Sequence, residues 1–201
     1  MTMQKNYYEF KPLNIGRWVV WSLFALLMAV APLVFTSGLS ITMPSQMGIA
    51  IIVCLSYNML LGQGGMLSFG HAVYTGLGSF LAIHALNAVA AGSLPIPVST
   101  VPLVGGLAGM FFAALLGWVT TRKSGTTFAM ITLGIGELVF AMSLMIPEFF
   151  GGEGGINANR VIGKAFMGIS FGPPIQVYYL IAVYTFVAVG LMFAFTRTPL
   201  G

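Results

Sequence analysis

The sequence predicts an all-α, polytopic transmembrane helix bundle of about six spans, with its N-terminus in the cytoplasm and one inner helix broken by glycines. Three observations predict it. The 201 residues are 58% hydrophobic and 6% charged, with a mean hydropathy of +0.96, whereas soluble domains carry about 25% charged residues. No Asp, Glu, Lys or Arg occurs between Arg17 and Arg122, and a soluble chain of this size has too little interior to hide so long an apolar stretch. Gly and Pro clusters part the apolar runs at intervals that suit spans of about 20 residues.

Residues 1–17 are polar, with Lys5, Lys11 and Arg17 against Glu9, and Tyr7, Tyr8 and Phe10 suit a membrane surface. The first span is expected over 18–36 with Trp18 and Trp21 at the interface. A cleaved signal peptide is the competing reading. The run exceeds an h-region of about 7–15 residues, and no small-residue cleavage site follows it. Pro44 precedes a second span at 46–61, which is slightly short, so it is either a half-helix or continues through the glycines after it. The third span is expected at 66–89, a Pro-rich loop at 91–102, and the fourth span at 101–121. The fifth covers 124–146 and ends at Pro147; a polar loop, 148–174, leads to the sixth at 175–196.

Orientation follows from the basic residues. Six spans place Lys5, Lys11, Arg17, Arg122, Lys123 and Arg197 on the cytoplasmic side and Arg160 and Lys164 outside, as the positive-inside rule requires. These residues sit at span ends and form no patch, so the net charge of +4 carries no nucleic-acid signal. The lone Cys54 excludes an internal disulfide framework and a cysteine metal cluster, and reads as a small packing residue.

The stretch Leu60-Leu-Gly-Gln-Gly-Gly-Met-Leu-Ser-Phe-Gly-His71, continuing to Phe80, organises the chain. Gly62, Gly64 and Gly65 loosen the backbone, so a helix should end, bend or restart there. Gln63 and Gly70 belong to the same segment. Small residues recur at Gly64, Ser68, Ala72 and Gly76, a stripe that lets another helix approach, so Gly76→Leu is expected to block assembly. A second stripe, Gly105, Gly109, Ala113, Gly117 and Thr121, marks a possible partner helix. Ser68, His71 and Thr75 would share a polar edge at helical spacing.

Two readings of His71 stand. One is a gate or substrate contact on a water path; the other is a neutral histidine satisfied by Ser68 or by a carbonyl on a neighbouring helix. His84 reads as an interfacial or packing histidine. Glu137 is the lone acid within a span, and its insertion cost of about 2.5–3.5 kcal/mol says that it faces protein or water. It reads as a structural or path-lining residue, with proton coupling as the rival. Gly151-Gly152-Glu153-Gly154-Gly155 lacks the Lys-Ser/Thr ending and the preceding strand of a phosphate loop and reads as a flexible external loop. No nucleophile elbow, zinc-binding helix or paired-carboxylate site occurs, so no catalytic residue, metal or cofactor is expected.

Taken in order, Leu-Leu-Gly-Gln-Gly-Gly…Ser-Phe-Gly-His, Ser124-Gly-Thr-Thr…Glu137, Gly-Gly-Glu-Gly-Gly-Ile156 and the closing Thr-Arg-Thr-Pro-Leu-Gly201 resemble permease subunits of branched-chain amino-acid ABC importers. The resemblance runs from about residue 45 to 201 and is strongest to the LivM-type members of the LivH/LivM permease family, whose relatives include urea and amide permeases. It implies a bacterial inner-membrane permease without enzymatic activity of its own. The partners it implies are a second homologous permease, two cytoplasmic ATPases, a periplasmic substrate-binding protein and the lipid bilayer. On this reading Gly152, Glu153 and Gly155 lie on the loop that faces the binding protein. Arg197-Thr-Pro-Leu-Gly201 would lead into the cytoplasmic coupling region, which makes the chain an N-terminal portion with later spans beyond it. The rivals are an ion-coupled secondary transporter using Glu137 and His71, and a membrane scaffold; a channel finds no charge rings to support it.

Overall fold

The computed structural model describes residues 15–34, 38–161, 171–196 and 198. Lys5, Tyr7, Tyr8, Glu9, Phe10 and Lys11 of the N-terminal segment lie outside the described residues, as do Lys164, Arg197, Pro199, Leu200, Gly201 and the side chain of Arg17. Among the described residues the elements are helical: α1 (Ile15–Val34), α2 (Gly38–Gly62), α3 (His71–Ala90), α4 (Val101–Thr120), α5 (Thr126–Met145), the single turn α6 (Pro147–Phe150) and α7 (Pro174–Phe195). Short 3-10 turns occur at Val98–Thr100 and Gly152–Gly154.

Among the described residues five helices are long and apolar enough to cross a membrane, and Trp18–Val34 adds a shorter apolar stretch. Their outer faces carry large exposed apolar side chains such as Trp118 at 71% and Met130 at 70% exposure. With the backbone groups of each helix interior largely bonded within the helix, such faces are suited to lipid or to other spans. This is a multi-pass membrane protein.

Two boundaries differ from the sequence expectation. α2 begins at Gly38 and carries Pro44 inside it, so it is a full crossing of 25 residues, about 37 Å long. Within this proline turn Thr42 Oγ1 donates to Gly38 O and Ser45 Oγ to Ile41 O, both at 2.9 Å. The second difference lies after Gly62. Residues 63–70 are not helical, so α3 starts at His71 rather than near Met66. Backbone N–H groups of Gln63, Gly64, Gly65 and Met66 take the last carbonyls of α2, from Met59, Leu60 and Leu61, and Gly65 turns the chain with φ +61°. The break is thus a built connection between two complete helices.

The helices fall into two sets. α1, α2 and α7 form one. In α1, Pro32 has no N–H for the carbonyl of Met28, four residues back. The hydroxyl of Tyr178 on α7, fully buried, donates to that carbonyl at 2.7 Å. Trp21 packs edge-on against Phe186 and Phe193 of α7, with ring centroids 5.5 and 5.6 Å apart; it is a packing residue, whereas Trp18 is exposed. Along α2, a Cβ at Gly48 would lie 3.1 Å from Thr185 Oγ1 and 3.3 Å from Ile181. Cys54, expected inside, is exposed.

α3 and α4 form the heart of the second set, with α5 against them. A Cβ at Gly78 would sit 2.6 Å from the Gly105 carbonyl oxygen, and one at Gly105 would sit 2.9 Å from the Ala82 Cβ. Gly109 approaches the Tyr74 carbonyl in the same way, at 3.2 Å. The α4 stripe therefore packs through Gly105 and Gly109, while the α3 stripe is Tyr74, Gly78 and Ala82. Gly76, on the expected stripe, has nothing within 4 Å of where its Cβ would be. The expectation took the stripe to start at Gly64, but a helix that starts at His71 presents a different face. The 63–70 connection is seated on α5: Phe69 N–H donates to Thr132 Oγ1 at 3.2 Å, and a Cβ at Gly70 would lie 2.6 Å from the Thr132 carbonyl oxygen.

Candidate functional site

Two cavities lie in series between α2 and the α3–α4 pair. The upper one, about 510 Å³, runs toward Pro102 and is lined by Ser56, His71, Tyr74, Thr75 and Ser79 together with the backbone of the glycine seam. The lower one, about 520 Å³, opens at the end that carries Gln63, Gly64, Thr120 and Thr121, and Phe195 of α7 closes one side. Ser56, His71, Tyr74 and Ala113 line both. Each volume falls within the range of about 300–1,000 Å³ seen for small-molecule sites.

His71 stands where the cavities meet. Its Nε2 lies 2.8 Å from Ser56 Oγ, and its ring meets Tyr57 edge-on at 5.7 Å. Ser56 donates its one hydroxyl hydrogen to the Val53 carbonyl at 2.8 Å. With the hydroxyl hydrogen directed there, its oxygen accepts from His71 in the tautomer that carries the proton on Nε2. The partner is a hydroxyl on α2, neither Ser68 nor a backbone carbonyl. The polar edge expected along α3 is divided: Ser68 precedes the helix, and Thr75 Oγ1 donates to the Ala72 carbonyl at 2.8 Å.

Ser68 lines the lower cavity, is 3% exposed, and its hydroxyl has no hydrogen-bond partner. Gln63 and Gly64 line the same cavity; Gly62 ends α2, Gly65 makes the turn, and Gly70 holds the connection against α5. Gly76 lines neither cavity, and neither does Glu137, which lies exposed on α5. No described residue hydrogen-bonds its carboxylate. Sequence reasoning missed Ser56, Tyr74 and Thr120. A signal for the first was present, because Ser56-Tyr57-Asn58 is a polar trio inside an apolar run.

The other end of the molecule is organised around aromatic rings. His84 Nε2 lies 2.8 Å from the Phe149 carbonyl oxygen, and its ring stacks on Phe149 at 4.9 Å. Phe150 packs edge-on against Phe80 at 4.9 Å. These contacts anchor the glycine loop, where a Cβ at Gly151 (φ +80°) would lie 2.4 Å from the Gly155 carbonyl. Gly152 and Glu153 belong to the 3-10 turn, and Gly155 follows with φ +65°. Among the described residues no three His, Cys, Asp or Glu side chains gather as a metal site would require. The two cavities hold hydroxyls, one imidazole, one carboxamide and apolar walls. That lining suits reversible binding of a small solute.

Residues 39–201 match the family described as "Branched-chain amino acid transport system / permease component". The chain belongs to this family. The high-affinity branched-chain amino acid transport system permease protein LivM of Salmonella typhimurium is 28% identical to it, over 88% of this chain and 45% of that protein. The permease chain thus spans less than half the length of this relative. No solved structure matches it.

Proposed function

We propose that this chain is part of the membrane permease subunit of an ATP-binding-cassette importer in the bacterial inner membrane, and that it lines the path for leucine, isoleucine and valine. The observation that carries this reading is the family match across 39–201; two small-molecule-sized cavities in series support it. The importer on this reading contains a second homologous permease, two cytoplasmic ATPases and a periplasmic binding protein. The lower cavity faces the cytoplasm and the loop at Gly152, Glu153 and Gly155 faces the binding protein, the orientation favoured by Arg122 and Lys123 at the lower end.

Alternating access then has a local form. The Ser56–His71 bond joins α2 to α3 between the cavities. Rocking of the α1–α2–α7 set against α3–α4–α5 lengthens or restores that bond and opens one cavity at a time. His71→Ala is expected to lower uptake at least tenfold while leaving assembly intact, a loss of about 1.4 kcal/mol or more in the transport step. Unchanged uptake would return His71 to a packing role.

The test of the whole reading is a mild-detergent affinity purification of the tagged full-length protein from its own membranes, with mass spectrometry and radiolabelled leucine uptake. Recovery of an ATPase and a second permease with ATP-dependent uptake is the expected result. Uptake abolished by an uncoupler while ATP is maintained would favour ion coupling, with Glu137 as the group to titrate. Uptake of urea or a short amide in place of leucine would keep the importer and change its cargo.

A further inference from the structure

Three observations meet in the lower cavity. Ser68 lines it, and the hydroxyl of Ser68, buried in this state, has no partner. An unpaired buried hydroxyl is destabilising, so its retention calls for a ligand. Second, α3 starts at this cavity without a side-chain cap. Val73 N–H is taken by the Gly70 carbonyl, but the first-turn N–H groups of His71 and Ala72 have no partner within the helix, and a 20-residue helix concentrates positive potential there. Third, the remaining lining is of two kinds. Met59, Leu60, Phe128 and Phe195 form an apolar wall, and no acid lines the cavity. Arg122 and Lys123 follow directly after Thr121 at its mouth.

We propose that the lower cavity is a binding site for the carboxylate end of an aliphatic amino acid. A rotation about χ1 brings the Ser68 hydroxyl into the cavity, where Oγ–H donates to one carboxylate oxygen, and the uncapped first turn of α3 presents its positive end to the group. The aliphatic side chain lies along the apolar wall. The inference rests on the permease reading above and assigns a substrate site within it. It gives the break at 63–70 a second purpose: the break exposes a helix N-terminus that a continuous helix would have hidden. It also separates two roles, with His71 between the cavities and Ser68 at the substrate's charge.

The test uses the full-length permease in its assembled membrane complex, in nanodiscs and without the binding protein, on a cysteine-free background that includes Cys54→Ser. A reporter cysteine, Gln63→Cys, is placed at the mouth, where Gln63 is exposed. Its rate of modification by N-ethylmaleimide is followed with added L-leucine or L-leucinol, which differ at the carboxylate. Leucine is expected to slow modification several-fold and leucinol to leave it unchanged. Ser68→Ala is expected to raise the leucine concentration needed for protection about tenfold, the loss expected of one hydrogen bond to a charged group, and Ser68→Thr to restore most of it. Equal protection by leucinol, or protection indifferent to Ser68→Ala, overturns the assignment. If Gln63→Cys fails to assemble, Thr121→Cys on the facing wall reports on the same cavity. ATP-driven leucine uptake by the parent complex separates the two failures. Uptake without protection removes the carboxylate site alone, whereas a complex that carries no leucine removes the permease reading beneath it.

Discussion

The seam between α3 and α4 and the seam between α2 and α7 join helices of similar length by opposite means. At the first, glycines bring backbone against backbone: Gly78 lies under the Gly105 carbonyl, and Gly109 lies against the Tyr74 carbonyl. At the second, side chains do the joining. Thr185 and Ile181 of α7 fill the space above Gly48, and Tyr178 reaches beyond to the carbonyl that Pro32 leaves without a helix partner. Within lipid no hydrophobic force distinguishes a helix neighbour from an acyl chain, so close packing and interhelical hydrogen bonds decide association. The glycine seam uses the first almost alone. α7 uses both, packing side chains on α2 and hydrogen-bonding α1, and its side chains have room to adjust.

The comparison breaks most visibly at Gly78. Any side chain there meets the Gly105 carbonyl at 2.6 Å, and backbone within a helix has little freedom to move aside. Gly78→Leu is expected to cost more than ~3 kcal/mol, the upper end for overpacked cores, and to remove monodisperse protein from fluorescence-detected size exclusion. A normal elution profile and melting temperature would show that α3 and α4 do not approach through glycine.

A smaller effect is expected at Tyr178. Tyr178→Phe keeps the ring and its packing but leaves the Met28 carbonyl unpaired inside the bundle. Interhelical hydrogen bonds in membranes contribute about 0.6 kcal/mol on average and about 1.7 at most. The Met28 carbonyl has no helical N–H to fall back on, so a loss near the upper value is expected, read as a lowered melting midpoint in detergent. Restoring the missing donor by Pro32→Ala in the same protein should recover part of that loss. If the double variant is no better than Tyr178→Phe alone, the hydroxyl was not compensating for the proline.

How much of this was legible in the sequence follows from what periodicity and composition carry. Apolar runs of span length mark the helices, and Gly62 to Gly65 mark the break, because these are local properties of the chain. The starts of α2 and α3 were less legible. Pro44 reads as a boundary, although the helix runs through it from Gly38 to Gly62. Met66, Leu67 and Phe69 read as the first turn of a span, although Phe69 N–H is in fact bonded to Thr132, 63 residues away. The site was legible in part: His71 and Ser68 stand out as polar residues among glycines, but their separation into a residue between cavities and a residue lining one cavity depends on Ser56, which sits on another helix. Contacts between distant residues leave no periodic trace.

The least expected effect sharpens the comparison most. Gly76 and Gly78 are two residues apart on one helix, so a rotation of about 200° separates them. They therefore face nearly opposite ways, and spacing alone favoured Gly76 as the contact. The structure reverses that choice, because nothing lies within 4 Å of a Cβ at Gly76. Gly76→Leu should leave the stability of the purified chain within about 0.5 kcal/mol of its starting value, read as a nearly unchanged melting temperature, and the better helix propensity of leucine acts in its favour. The same substitution in the assembled complex asks a different question. If complex yield falls there while the isolated chain is unaffected, another helix of the assembly packs on this face of α3, and the small-residue stripe through Ala72 and Gly76 serves assembly between subunits rather than packing within this one.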